Sequence, residues 1–227
     1  MWIKICANTN LEDTLAAINL GADAVGFVFA QSARQVTAAQ VKRISDALPA
    51  GVERVGVFAT GTAEEIAKAA KEAGLTALQL HGGVSPASFE LSSQLRNLLG
   101  PEISIIQTVH WPVGGDVLQA EVADRVSVQL AAVASAGLGD RVLVDAKVGA
   151  LSGGTGRTFD WGVAKLVLRS QKNLRIIVAG GLRPENVATA IHQLEPWGVD
   201  VASGVEREPC LKDLGKLREF IKNARGA

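Results

Sequence analysis

Tyrosine is absent from this 227-residue chain, methionine occurs once, cysteine twice, and aromatic residues amount to 4%. Cys6 and Cys210 lie far apart, with no Cys-x-x-Cys pair and no histidine cluster, so neither a disulfide framework nor a zinc site is signalled. Reduced thiols are the expectation. An excess of charge is missing too: 23 Lys and Arg face 23 Asp and Glu, and the pI is about 6.8. With no basic window, electrostatic capture of nucleic acid or of an anionic membrane is disfavoured, and a small-molecule partner fits better. No apolar run approaches the roughly 20 residues of a spanning helix. Met1-Trp2-Ile3-Lys4 reads into a strand rather than a signal peptide, so a cytoplasmic location is expected. Low-complexity and Pro/Ser-rich segments are also lacking, and the Gly114-Gly115 and Gly137-Leu138-Gly139 clusters read as loop breaks within a single domain spanning residues 1–227.

What the chain does contain is alternation. Short aliphatic runs begin near Trp2, Asp23, Val52, Thr76, Ile103, Arg141, Leu174 and Gly198, with stretches of helical period between them. Their mean spacing of about 28 residues matches a strand, a helix and two loops, so the fold class is α/β and the architecture a (β/α)8 barrel. Thr37 with Gln40 and Thr62 with Glu65 form capping-box patterns, and Ser85-Pro86 and Arg183-Pro184 place proline at a first helical turn. Leu11 to Leu20, Val41 to Leu48, Ile66 to Ala73 and Val187 to Leu194 carry apolar residues at helical spacing. Asp116 to Ala136 is long enough for one helix or two.

In such a barrel the C-terminal ends of the strands share one face, where chemistry is expected. The first strand offers Cys6 there; the second leads by Phe29 and Ser32 to Arg34; the fourth ends in Gln79-Leu80-His81-Gly82 and the sixth in Asp145. Gly153-Gly154-Thr155-Gly156 follows Asp145, while Ala179-Gly180-Gly181-Leu182 and Ala202-Ser203-Gly204-Val205 end the seventh and eighth strands. Glycine loops let backbone N–H groups approach an anion, so Gly153, Gly154, Gly180, Gly181, Ser203 and Gly204 form a candidate phosphate cradle, against the plainer reading of tight βα turns. A phosphorylated sugar is the leading ligand class. Cys6 and Asp145, on different strands, could flank it as base and acid; the plainer readings are a small buried hydrophobe and a solvated acid or partner of Lys147. Arg34 is either solvated or a bidentate clamp for a substrate carboxylate. His81 is a second-rank candidate that also suits a structural turn. His110 and His192 show no metal spacing with it. Asp23 and Asp200 read as strand starts on the opposite face, Asp160-Trp161 as helix capping and packing, and Glu206 to Glu208 with Lys212-Asp213 as a solvated connection and helix start.

Taken together, these motifs resemble the phosphoribosylanthranilate isomerase family along the whole chain. The resemblance rests on Lys4-Ile5-Cys6, on Gly21-Ala22-Asp23-Ala24-Val25-Gly26-Phe27-Val28-Phe29, on Ser32-Ala33-Arg34 and on Val55-Gly56-Val57-Phe58. It continues through Gln79-Leu80-His81-Gly82, Val144-Asp145, Gly153-Gly154-Thr155-Gly156 with Phe159-Asp160-Trp161, Ala179-Gly180-Gly181-Leu182 with Pro184-Glu185-Asn186-Val187, and Ser203-Gly204-Val205-Glu206 with Lys212-Asp213. It implies a (β/α)8 barrel of the ribulose-phosphate-binding type and an Amadori rearrangement of N-(5'-phosphoribosyl)anthranilate in tryptophan biosynthesis. Neither cofactor nor metal is implied, and a monomer or a homodimer is compatible. By the resemblance, Asp145 protonates the furanose oxygen, Cys6 takes the C2' proton, Arg34 holds the anthranilate carboxylate and the glycine loops hold the phosphate. Ala7-Asn8 stands where the family usually has glycine after the cysteine, Ala202 where serine is common, and Pro209-Cys210 where Pro-Gly is usual. The rivals are another ribulose-phosphate-binding barrel enzyme and a non-catalytic phosphosugar-binding protein. The pairing of Cys6 with Asp145 separates the chain from barrels with acids at both catalytic strand ends or with a lysine-rich mouth.

Overall fold

Strand and helix follow one another as the aliphatic runs and periodic stretches dictate. In a computed structural model that describes residues 1–114, 118–137, 139, 141–148, 151–152 and 158–227, the first strands are β1 (Trp2–Ile5), β2 (Ala24–Val28), β3 (Glu53–Phe58), β4 (Ala77–Leu80), β5 (Ser104–Pro112) and β6 (Arg141–Val148). A short β7 (Leu151–Ser152) folds back antiparallel on β6, and β8 (Ile176–Ala179) and β9 (Gly198–Val201) are the seventh and eighth barrel strands. Their neighbours run parallel around the sheet, and pairing of β5 with β6 closes it. The helices outside are α1 (Leu11–Asn19), α2 (Ala38–Ser45), α3 (Ala63–Ala73), α4 (Pro86–Leu99), α5 (Gln119–Ala136), α6 (Trp161–Arg169), α7 (Val187–Leu194) and α8 (Leu214–Arg225).

Local signals set most helix starts. The Thr37–Gln40 and Thr62–Glu65 capping boxes both form, and Ser85 caps α4 with Pro86 in its first turn. Among the described residues the fifth unit holds one helix, α5. Pro184 differs from expectation, because α7 starts only at Val187. The carbonyl of Arg183 accepts from the N–H groups of Asn186 and Val187, and Asn186 Oδ1 accepts from Arg183 N at 2.8 Å, so a tight turn occupies the place of a first helical turn.

Alternate residues of a strand face the same way, and this period fills the barrel in layers. Ala24, Val55, Ala77, Ile106, Leu143, Ile177 and Ala179 form a buried apolar cluster separate from the larger core between sheet and helices. Two residues further along their strands come Gln79 after Ala77 and Asp145 after Leu143, so the inner face turns polar toward the mouth. Lys4, fully buried in β1, pairs with its register neighbour Asp200 on β9 at 2.9 Å. That overturns the reading of Asp200 as a strand start on the far face: it is the third residue of β9, turned inward because a buried ammonium needs a counter-charge. Asp23 does sit at the far rim, where its carboxylate accepts from Ile3 N at 2.8 Å and Arg225 at 2.7 Å.

Candidate active site

Cys6 follows β1 directly and is 6% exposed. A Cβ added to Gly26 on β2 would lie 2.7 Å from Cys6 Sγ and 2.9 Å from Lys4 Cε, so the glycine makes room for both side chains. Burial pushes the Cys6 thiol up, the Lys4 ammonium pulls it down, and Asp200 pushes it up again, with a net rise. Burial works against the Lys4 charge as well, yet Asp200 and Cys6 outweigh it and push Lys4 up to about 12. The turn after Cys6 keeps a left-handed shape without glycine: Ala7 has φ 61°, and the Asn8 side chain ties the turn to Ile5 O at 2.7 Å and Gly26 O at 3.2 Å.

Asp145 is buried in β6 and lies in register with Ala179 of β8 and His110 of β5. His81 approaches it from the end of β4, Nε2 to Oδ2 3.7 Å. The His81 and His110 rings meet edge to face at 5.0 Å, and His110 Nε2 lies 3.0 Å from His81 O. Sequence spacing suggested no link between these histidines; strand pairing makes one. His81, His110 and Asp145 each offer a ligand atom, all within 4.8 Å of one another, and could hold a metal ion. Such an ion would occupy the carboxylate that an acid role requires.

The phosphate candidates fall into two groups. Gly153 and Gly154 lie outside the described residues. Gly180 and Gly181 adopt φ 85° and 68°, and a Cβ on Gly180 would come 2.4 Å from Ala146 N, next to Asp145. Ser203 opens a single 3-10 turn, Ser203–Val205, and a Cβ on Gly204 would come 1.9 Å from Leu182 O. The two turns therefore touch backbone to backbone, beside the acid. The Asn186 side chain braces the first of them, donating to Gly181 O at 3.0 Å.

Arg34 is half-buried and paired rather than free. Its Nε lies 2.9 Å from Glu206 Oε1 and its second guanidinium nitrogen 2.6 Å from Oε2, a bidentate pair. Lys212 Nζ sits behind, 3.4 Å from Glu206 Oε1 and donating to Cys6 O at 2.6 Å. Glu206 and Lys212 are 6% and 3% exposed, which corrects the expected solvated connection. Their segments pair as the short strands β10 (Glu206–Glu208) and β11 (Leu211–Lys212), and Asp213 caps α8 as expected. Burial works against the Glu206 carboxylate, but Arg34 and Lys212 hold it below the usual carboxylate range. Between these strands Cys210 takes φ 74°, its Sγ donating to Ala33 O at 3.0 Å beside Arg34. Ala7 and Cys210 thus keep left-handed turns without glycine.

Sequence reasoning missed Lys4, Gln79, Asp200, Glu206 and Lys212 as parts of this site. For Lys4 and Gln79 a signal existed: they stand two residues before Cys6 and His81, on the same face of their strands.

The model of the family described as "N-(5'phosphoribosyl)anthranilate (PRA) isomerase" matches residues 3–223. An N-(5'-phosphoribosyl)anthranilate isomerase of Thermotoga neapolitana is 40% identical over 225 residues, covering 99% of this chain and 98% of the relative. The crystal structure of phosphoribosyl anthranilate isomerase from Thermotoga maritima superposes with a TM-score of 0.82 at 37% identity over 100% of both chains. A phosphoribosyl anthranilate isomerase in complex with reduced 1-(o-carboxyphenylamino)-1-deoxyribulose 5-phosphate is 36% identical, with a TM-score of 0.77 and 100% of both chains covered.

Proposed function

The chain belongs to the N-(5'-phosphoribosyl)anthranilate isomerase family of tryptophan biosynthesis, and from this we propose that its barrel mouth performs the family's Amadori rearrangement with Cys6 as base and Asp145 as acid. The substrate is N-(5'-phosphoribosyl)anthranilate and the product 1-(2-carboxyphenylamino)-1-deoxyribulose 5-phosphate. Asp145 gives its proton to the furanose ring oxygen, the bond from that oxygen to C1' breaks, and the anthranilate nitrogen forms a Schiff base with C1'. The Cys6 thiolate then removes the C2' proton, leaving an enolamine that tautomerises to the ketone. Lys4 favours that thiolate against the cost of burial.

The observation that carries this reading is the contact of acid and cradle. Gly180 packs against Ala146, one residue from Asp145, so a phosphate bound by the Gly180-Gly181 and Ser203-Gly204 turns would hold the sugar at the acid. Arg34 would receive the anthranilate carboxylate in exchange for, or beside, Glu206. The relative bound to a reduced product analogue supports a ligand with both a carboxylate and a phosphate.

The test is turnover of phosphoribosylanthranilate by the purified protein, followed as loss of anthranilate-type fluorescence. Asp145→Asn and Cys6→Ala are each expected to lower kcat on the order of 10²-fold or more while the phosphate is still bound. A fully active Asp145→Asn protein would remove Asp145 from the ring-opening step.

A further inference from the structure

The β10–β11 hairpin grips Arg34 at both ends. Near the backbone, Cys210 Sγ donates to Ala33 O at 3.0 Å, and Cys210 O accepts from Thr9 Oγ1 at 2.9 Å, which ties the turn to the loop after β1. At the tip, Glu206 accepts from Arg34 Nε at 2.9 and 3.1 Å and from Nη2 at 2.6 Å, so both its oxygens lie along one edge of the guanidinium. Glu206 is not free to leave that edge. Lys212 behind it is 3% exposed, and the three donors of its ammonium are matched by Cys6 O at 2.6 Å, Ala202 O at 3.2 Å and Glu206 Oε1 at 3.4 Å. Withdrawing Glu206 would strand a buried ammonium without its counter-charge, and a ligand carboxylate on Arg34 does not replace it. A guanidinium has five N–H donors, and Glu206 engages Nε and one donor of Nη2. Among the described residues no hydrogen bond engages Nη1. The outer edge, formed by Nη1 and the second donor of Nη2, has the parallel spacing that fits the two oxygens of another carboxylate.

We propose that Glu206, secured by Lys212, is a positioning residue that fills the inner edge of Arg34 and sets the outer edge as the fork for the substrate's aromatic carboxylate, which binds beside Glu206 and not in exchange for it. This role of Glu206 rests on the reading of Arg34 as receiver of the anthranilate carboxylate. A fork held in this way demands a planar anion with two oxygens at a fixed angle, whereas a mobile cation selects by charge alone. The Arg34 side chain is 22% exposed and that of Glu206 4%, so a ligand meets the guanidinium from its open side. The same contacts set the fork relative to the rest of the site. Lys212 donates to Cys6 O and to Ala202 O, one residue before Ser203, so a single ammonium fixes Glu206 against both the candidate base and the phosphate turn. The two modes of binding differ in sign. Were the ligand to displace Glu206, weakening the Glu206–Arg34 pair would tighten binding; where Glu206 sets the fork, weakening the pair loosens it.

Calorimetric titration of the full-length protein with two probes reads this without turnover. The probes are reduced 1-(o-carboxyphenylamino)-1-deoxyribulose 5-phosphate and the same compound lacking the ring carboxylate. The parent protein should prefer the carboxylated probe by on the order of 10- to 100-fold, the range of a charge-assisted pair. Glu206→Asp keeps the charge but draws the carboxylate back by one methylene. The preference should then fall by about fivefold or more, while affinity for the carboxylate-free probe stays within about twofold. An unchanged or larger preference in Glu206→Asp overturns the proposal. So does an equal loss for both probes, which marks a purely structural role. Should Glu206→Asp not fold, Arg34→Lys gives the second measurement: an ammonium held by Glu206 offers no outer pair, so its preference should drop to that of Arg34→Ala. Retention of most of the preference in Arg34→Lys sinks the idea of a fork. A parent protein that binds neither probe removes the proposed activity together with the role of Glu206, whereas one that binds both equally removes only the roles of Arg34 and Glu206. Loss of turnover with the preference intact removes the mechanism and keeps the fork.

Discussion

At the scale of single residues, the site is governed by how burial and neighbouring charge divide the protons. Cys6 is a base that its surroundings make reluctant: burial raises the thiol more than Lys4 lowers it. The sign follows directly. A thiol held above its ordinary value is mostly protonated near neutral pH, and the reactive thiolate gains up to about tenfold per pH unit below its midpoint. We therefore expect the far-ultraviolet thiolate absorbance that Cys6→Ala removes to climb with pH from 7 to 9 without a plateau. A plateau already reached near pH 7 would show that Lys4 dominates over burial. Lys4 itself, at about 12, keeps its charge throughout that range, so the climb belongs to the thiol.

At the scale of elements, the sequence announced what is local and concealed what is not. Strand starts near Trp2, Asp23, Val52 and Thr76 fall within one residue of the observed β1 to β4, because aliphatic runs and capping boxes act over a few residues. The β10–β11 hairpin was not legible. Glu206-Arg207-Glu208 looks solvated in isolation, and Glu206 is buried because Lys212 pairs with it from the facing strand and Arg34 arrives from 172 residues away. In the same way the His81–His110 contact depends on the pairing of β4 with β5, which no spacing within either strand encodes. The loop between β8 and α7 shows how an element serves the site. Asn186 makes no side-chain cap for α7 but instead ties Arg183 N at 2.8 Å and Gly181 O at 3.0 Å. Each such bond is worth about 1 kcal/mol. Asn186→Ala should therefore loosen the Gly180-Gly181 turn and raise KM by roughly five- to tenfold with kcat nearly constant. Steady-state kinetics decide it: an equal loss in kcat would place the effect at the reacting atoms rather than at phosphate binding.

At the scale of the whole molecule, a closed barrel has no free sheet edge, so its stability depends on the last unit completing the ring around the first. β9 pairs with β1, and α8 then covers the seam. Leu217, Phe220 and Ile221 of α8 are 0%, 0% and 3% exposed, a burial worth about 5–9 kcal/mol in total. Arg225 bonds Gly21 O at 2.9 Å and Asp23 at 2.7 Å and reaches the Met1 carbonyl, fastening the end of the chain to its start. Near the mouth, Lys216 Nζ donates to Glu206 O at 2.8 Å, so the same helix steadies the hairpin that holds Arg34. A domain of ordinary stability has about 5–15 kcal/mol in all. Deleting residues 214–227 should therefore abolish cooperative folding rather than trim it, seen as loss of a sigmoidal urea transition by circular dichroism. A truncated chain that still unfolds cooperatively near the parent midpoint would mean that β-sheet closure alone carries the fold, and that α8 matters chiefly for Arg34.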